Sequence, residues 1–536
     1  MTTPQLPARP DLAQLKKQAK DLLQSARDRQ PAALARFRAL PAFAGKSDTE
    51  LAATAFALHN AQSAVARELG FASWNALRER IEELTLDRQA AITQFTRGSV
   101  EQRLGRAERV LALYPDLVAA DFHAALAFGE VAAVARRLAA DPTLATRRGG
   151  PMNWEPLFYV AHSRWGTRNS AGLIEVARLL LAHGASPNAS YAWSDNAAEQ
   201  VSVLWAASCQ ARHLELARVL LEAGAKPDDG ESVYHAAENG DTAMLDLLAA
   251  HGAQADGGDG NKRWQNTPLY FILGHYAGLG HDAAVRRGVA WLLAHGADPN
   301  RVCYPEKSAE TPLHAAARHW DVPMIELLAQ HGANLRAKRK DGRTAYVLAA
   351  MHGRTDIVAW LRDHDGDSDL SPAERFLAAC MRGDRAKVDA MLRGEPRFAE
   401  LTRDPGAQKL FFEVAGRTDT AALETMLACG FDPAATDDLG ATPLHWAAFT
   451  GNLAGAKVLI AHGAPLDVRD RTHKSLLLGW ADYAAANLPH PQGDYVGVVR
   501  ALLAAGAALP TPEALESWAS EELIALVLEA ARQRSA

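Results

Sequence analysis

Between residues 363 and 374 five carboxylates recur at a spacing suited to a hard cation: Asp363, Asp365, Asp367, Asp369 and Glu374. Counted from Asp363 they fall on positions 1, 3, 5, 7 and 12 of a calcium-binding loop, where alternate side chains turn oxygens inward and the last acid supplies two. Leu370 stands at the apolar eighth position, with helical patterns on both sides. Position 6 is Ser368, not the glycine that the sharp turn requires, and the sequence offers no second loop to pair with it. The competing expectation is a repeat turn with solvated acids, because WLRDHDGD also aligns with the closing phrase of the repeats described below. Calcium is the one cofactor that the sequence suggests.

Other chemistry is hard to assemble. There is no GxSxG and no HExxH, and the GKS at 45–47 has Leu40 where a phosphate-binding loop needs its first glycine, so Ser47 reads as a helix cap facing Glu50. The 19 histidines suggest a metal until their positions are compared. His183, His251, His295, His331 and His462 all precede a glycine that closes a helix, and His235, His314 and His445 all take the fourth place of a recurring Thr-Pro or Ser-Val phrase. Recurrence at equivalent places points to a structural role, a hydrogen bond to the turn of an adjacent unit. No catalytic residue is assigned.

The elements that carry these residues repeat. An apolar pair, two or three residues, then Gly followed by Ala or Phe recurs around Gly184, Gly224, Gly252, Gly296, Gly332, Gly430, Gly463 and Gly506, most tightly at 33 residues between Gly430 and Gly463. Upstream lies TPLHAAA at 311–317 and TPLHWAA at 442–448, with weaker copies at 202–207, 232–237, 267–272 and 344–350. Thr predicts an N-cap, Pro the first helical residue, the paired alanines a close helix approach, and Gly a left-handed helix end. Two short antiparallel helices and a projecting turn make one unit, which cannot bury its own apolar face and must stack.

These phrases resemble ankyrin repeats over roughly residues 120–510, most specifically at 311–335 and 442–468. The resemblance implies an all-α ankyrin-repeat solenoid of helix pairs with short β-turn fingers, behind a small helical N-terminal region. PARPDLAQLKKQAKDLL (7–23) and ARELGFASWNAL (66–77) further resemble the helical lead-in of many bacterial proteins of this kind. The acidic run itself resembles an EF-hand loop. The organisation expected is an N-terminal helical cap at 1–87, a first array at 88–362, an acidic joint at 363–374, a second array at 375–510 and a closing helix at 511–536. Three units carry eight or nine extra residues between their helices, at 163–172, 274–283 and 483–495. Such loops are either functional or tolerated padding.

In the ankyrin architecture the fingers and first helices line a concave groove. Finger segments here carry Tyr191, Trp193, Arg263, Trp264, Arg301 and Tyr304, aromatic and arginine types that dominate protein contacts, although each ring could instead pack against a neighbouring finger. The net charge of −6 gives no reason to expect nucleic acid, and no run of 18 apolar residues argues for a membrane span. Four cysteines without a CxxC pair fit a reducing cytoplasm. The expectation is a monomeric, non-enzymatic scaffold in a bacterial cytoplasm that binds an unknown protein or peptide. The alternatives are an enzyme with a site in the N-terminal region or long loops, and a scaffold whose inter-array angle is set by calcium.

Overall fold

A computed structural model describes the chain apart from residues 1–5, 7–9, 41–42, 55, 102, 193–199, 259–263, 276–281, 418–419, 473, 516–517, 519 and 536. It is 63% helix with few strands, built from stacked helix pairs as the ankyrin-like phrases predict. Two compact units emerge, Met1–His235 with Ala243–Ala253, and Ala236–Thr242 with Gln254–Ala536. The division therefore falls near residues 236–254 and not at the acidic run. Across 363–374 one apolar core continues from Val347 and Met351 through Phe376 and Phe411 to Val527. The expected joint is an ordinary turn within a stack: Gly366 is buried beside Leu335 and Leu361, and Ser368 Oγ lies 2.6 Å from Thr344 Oγ1.

In the first unit, Leu12–Arg27, Pro31–Arg38, Asp48–Ala52, Leu58–Glu68 and Trp74–Leu84 enclose their own core, from Leu15 and Ala19 to Leu77 and Ile81. Phe37 stacks on Phe56 at 4.1 Å between centroids. Ser47 and Glu50 form the expected reciprocal cap. Helix pairs follow, including Phe122–Phe128 with Val131–Ala140, and Pro156–Ala161 with Ser170–Ala182. The finger after Ser170–Ala182 holds a two-stranded antiparallel ribbon: β1, Ser190–Ala192, pairs with β2, Gln200–Ser202, Tyr191 opposite Val201. The long segment at 163–172 folds inward. Trp165 is buried, its Nε1 donates to Ser99 Oγ at 2.9 Å, and its ring meets Phe128 edge-on.

The second unit runs from Pro268–His275 through Pro312–His319, Ala345–Met351, Pro372–Met381, Pro405–Ala415, Pro443–Thr450 and Leu477–Asn487 as first helices, and ends in Glu521–Ser535. Proline opens five of these seven, where a missing N–H costs nothing. The insertion at 483–495 lengthens Leu477–Asn487, and Tyr495 Oη then receives the His490 amide at 2.9 Å.

One local reading needs correction. The histidines ahead of the closing glycines do not reach an adjacent unit: the Nδ1 atoms of His183, His251, His295, His331 and His462 bond the carbonyl four residues back in their own helix, at 2.8–3.0 Å. They tie back onto the last turn of the helix, and at 183, 295 and 462 the same carbonyl also accepts the histidine's own amide. At 311 and 442 the threonine cap forms, as a reciprocal box with the histidine three residues on. The His314 ring accepts the Thr311 amide at 3.0 Å, and its Nε2 sits 3.0 Å from the Ala337 carbonyl of the next finger. Asparagines also join adjacent units. Asn188 donates to the Gly224 carbonyl at 2.9 Å and accepts the Lys226 amide at 2.8 Å, and Asn300 repeats this with Gly332 and Asn334 at 2.8 and 2.6 Å.

Candidate functional site

Charged residues of successive fingers and first helices in the second unit join in one network. Glu310, at the end of a finger, receives Arg318 from Pro312–His319, Arg339 at 2.8 Å from the following finger, and the Tyr270 hydroxyl. Arg339 and Arg343 both reach Asp341, at 3.4 and 3.3 Å, and Arg343 Nε donates to Glu374 at 2.9 Å. Burial works to raise the Glu310 carboxyl, but Arg318, Tyr270 and Arg339 outweigh it and hold it below the usual range. Burial and the Glu310 charge push the Tyr270 hydroxyl far up, so it stays a donor.

Beside this network lies a cleft of about 760 Å³. One wall is finger and first-helix residues, among them Tyr304, Lys307, Arg318 and His352; the other is residues 404–413 at the start of Pro405–Ala415. Five cations, Lys307, Arg318, Arg339, Arg343 and Lys409, face three carboxylates, Glu310, Asp404 and Glu413. Glu310, Asp341 and Glu374 already pair the three arginines, so Lys307 and Lys409 carry the remaining positive charge of the lining. At its edge His319, His352 and Glu413 come together, with one possible ligand atom of each within 4.8 Å of the others. Burial would raise Glu413, yet His352, Arg417 and His319 facing it bring it down to about 2. Burial lowers His319 to about 4.

A second hollow, about 330 Å³, opens between two later fingers. Leu439, Phe449, Thr472, Trp480 and Tyr483 line it, with the buried Asp470 accepting from Trp480 Nε1 at 3.1 Å. Leu439 and Tyr483 are 42% and 56% exposed, unusual for side chains of this size. Trp446 meets Trp480 edge-on at 5.5 Å, and Asp437 takes its Nε1 at 2.8 Å, so the rings are held in fixed positions.

The residues proposed from sequence are scattered. Tyr191 is half-buried against Trp154 and Phe158, with its hydroxyl 3.2 Å from His162 Nε2, and desolvation raises it to about 12. Tyr304 lines the cleft and its Oη accepts from Asn266 at 2.7 Å. Arg301 is exposed and Trp264 half-buried; Trp193 and Arg263 lie outside the described residues. Asp363, Asp365, Asp367, Asp369 and Glu374 do not converge: among the described residues, three possible metal ligands meet only at His319, His352 and Glu413. Glu374 instead caps a helix through Ser371 and pairs with Arg343, because it belongs to a new first helix and not to a loop. What the sequence reading missed were charges inside the TPLHAAA-like phrases, Arg318 and His319 above all. The signal was present as His at the ninth place of two successive phrases, 319 and 352.

Residues 280–371 match the family model for ankyrin repeats in three copies, and residues 439–471 that for an ankyrin repeat. The chain carries ankyrin repeats. It is 30% identical over 209 residues to a transient receptor potential cation channel subfamily A member 1 homolog of Caenorhabditis elegans, covering 37% of this chain and 16% of that protein. It is 29% identical over 119 residues to ankyrin repeat and SOCS box protein 9 of Mus musculus, covering 22% and 36%. The match thus spans well under two thirds of either relative. Among solved structures, the human ASB11 ankyrin repeat domain aligns at 24% identity and a TM-score of 0.33, over 47% of this chain and 99% of that one. Ankyrin repeats in general mediate contacts between proteins. No helix among the described residues is long and apolar enough to cross a membrane.

Proposed function

We propose that this chain is a non-enzymatic scaffold whose second unit binds a segment of a partner protein, with an apolar side chain in the hollow at Trp480 and acidic side chains in the cleft at Arg339. The observation that carries this reading is the exposed apolar surface of Leu439 and Tyr483 beside fixed rings, between fingers of a matched ankyrin repeat. Burying such a pair against a partner is worth about 1.5–3 kcal/mol for each large apolar side chain. Lys307 and Lys409, outside the arginine–carboxylate network of the cleft, support the acidic half of the segment's description. A monomer in a reducing bacterial cytoplasm is the setting we propose with it; all four cysteines are buried thiols, and the N-terminal helices carry the bacterial resemblance.

Selection from a library of random displayed peptides on the full chain tests this. Enriched peptides combine an apolar residue with Asp or Glu, and lose at least tenfold in affinity for Tyr483→Ser while binding Arg397→Ala unchanged. Enrichment of basic peptides, or peptides indifferent to Tyr483→Ser, would remove the proposal.

A further inference from the structure

We propose that His319, His352 and Glu413 form a binding site for a divalent first-row transition-metal ion in the second unit. The two histidines stand 33 residues apart at the same place in successive repeats, so stacking sets them side by side, their rings edge-to-face at 5.5 Å. His319 is the last residue of Pro312–His319, and His352 caps Ala345–Met351. Glu413 comes from a third element, Pro405–Ala415, and no repeat phrase calls for an acid there. Two imidazoles and one carboxylate are a donor set suited to zinc and to its neighbours in the first row.

The present geometry needs only small side-chain movements. One nitrogen or oxygen of each residue already lies within 4.8 Å of the others. Tetrahedral coordination at about 2.0–2.1 Å would place ligand atoms about 3.3 Å apart. His352 Nδ1 is 3.0 Å from a Glu413 oxygen, yet it is a buried polar atom without an aligned hydrogen bond. Buried nitrogens are rarely left so, and an ion would supply the missing partner. Arg417 bonds the other Glu413 oxygen, which lies 4.0 Å from His319 Nδ1, and reaches the His352 carbonyl at 3.2 Å, fixing the carboxylate as outer partners of metal ligands do. Its charge opposes a second cation, which places the affinity below that of a site with the same three ligands and no arginine.

Three protein ligands leave coordination positions to fill. His352 and Glu413 both line the cleft, so those positions open towards it, and water or an oxygen of a bound segment completes the shell. The ion would tie together three elements that are distant in sequence. The site stands on its own residues and does not require that a partner binds.

Titration of the metal-stripped full chain with Zn²⁺ against a chromophoric chelator tests the proposal, with Co²⁺ absorption as the second readout. One ion binds per chain, Co²⁺ gives visible bands, and Zn²⁺ raises the melting temperature. Glu413→Gln and His319→Ala each weaken binding at least tenfold and abolish the thermal shift, whereas His331→Ala, at an exposed helix end, changes neither. His319 is a partly exposed terminal helix residue, so His319→Ala keeps the test decisive if Glu413→Gln fails to fold. No saturable binding, equal binding by His319→Ala, or equal loss in His331→Ala would each overturn it.

Discussion

Glu310 and Arg318 form a nearly buried ion pair, 6% and 18% exposed at their side chains, that Arg339 completes from the next finger. Replacing one partner strands the others. Glu310→Gln leaves two guanidiniums without their shared anion and is expected to cost about 3 kcal/mol, read as a lower denaturation midpoint. Tyr270→Phe removes one hydroxyl donor to the same carboxylate and costs about 1 kcal/mol. A midpoint for Glu310→Gln equal to wild type would mean that the network adds nothing.

Stability should fall in mild acid because of buried histidines. Desolvation depresses His162 to about 3 and His314 and His445 to about 4. In the unfolded chain each takes a proton near pH 6.5, so the stabilisation is fully present above about 6.5 and is lost as pH falls towards 4. Each contributes a slope of about 1.4 kcal/mol per pH unit. The depressed carboxylates Glu310, Glu374 and Glu413 act in the same direction only below about 4.5. Urea midpoints at pH 7.5, 6.0 and 5.0 should therefore drop, and more shallowly for the double variant His314→Asn with His445→Asn.

Trp165→Ala should be among the most damaging changes in the first unit. It empties the space between Phe95 and Phe128 and orphans Ser99 Oγ, at a cost of about 3–5 kcal/mol. Ser99→Ala alone costs about 1 kcal/mol. Thermal melts of both variants check this; a mild Trp165→Ala would mean that the 163–172 segment is dispensable.

Gly172 marks a tight approach within the first unit. A methyl group there would run into the Gly129 carbonyl and the Asn169 amide. Gly172→Ala is expected to destabilise by about 1–3 kcal/mol despite the better helix propensity of alanine. A gain in melting temperature would contradict the close packing of these helices.

How much was legible in the sequence varied with the range of the interaction. Helix starts at Pro312 and Pro443 and ends at Gly332 and Gly463 follow from local backbone chemistry, and they stand where their residues place them. The Thr311 cap takes a reciprocal form because the buried His314 ring, three residues on, accepts the Thr311 amide and stands 2.8 Å from its hydroxyl. Asp363–Glu374 matched a metal loop by spacing alone, but spacing does not reveal that Arg343 claims Glu374. Trp165 sat in an inserted segment, where nothing local distinguishes an exposed ring from an anchoring one. Glu413 lies 61 residues beyond His352, and only the stacked fold brings them together.

The bonds of Asn188 to Gly224 and Lys226, and of Asn300 to Gly332 and Asn334, bear on how such a chain could be edited. Each asparagine reads only main-chain atoms, a glycine oxygen and the amide two residues later. Any replacement cassette that presents those two atoms at that place would be accepted whatever its outward side chains, whereas a deletion out of frame would sever the latch. Recognition could thus diversify along the fingers while the seam between cassettes stayed constant.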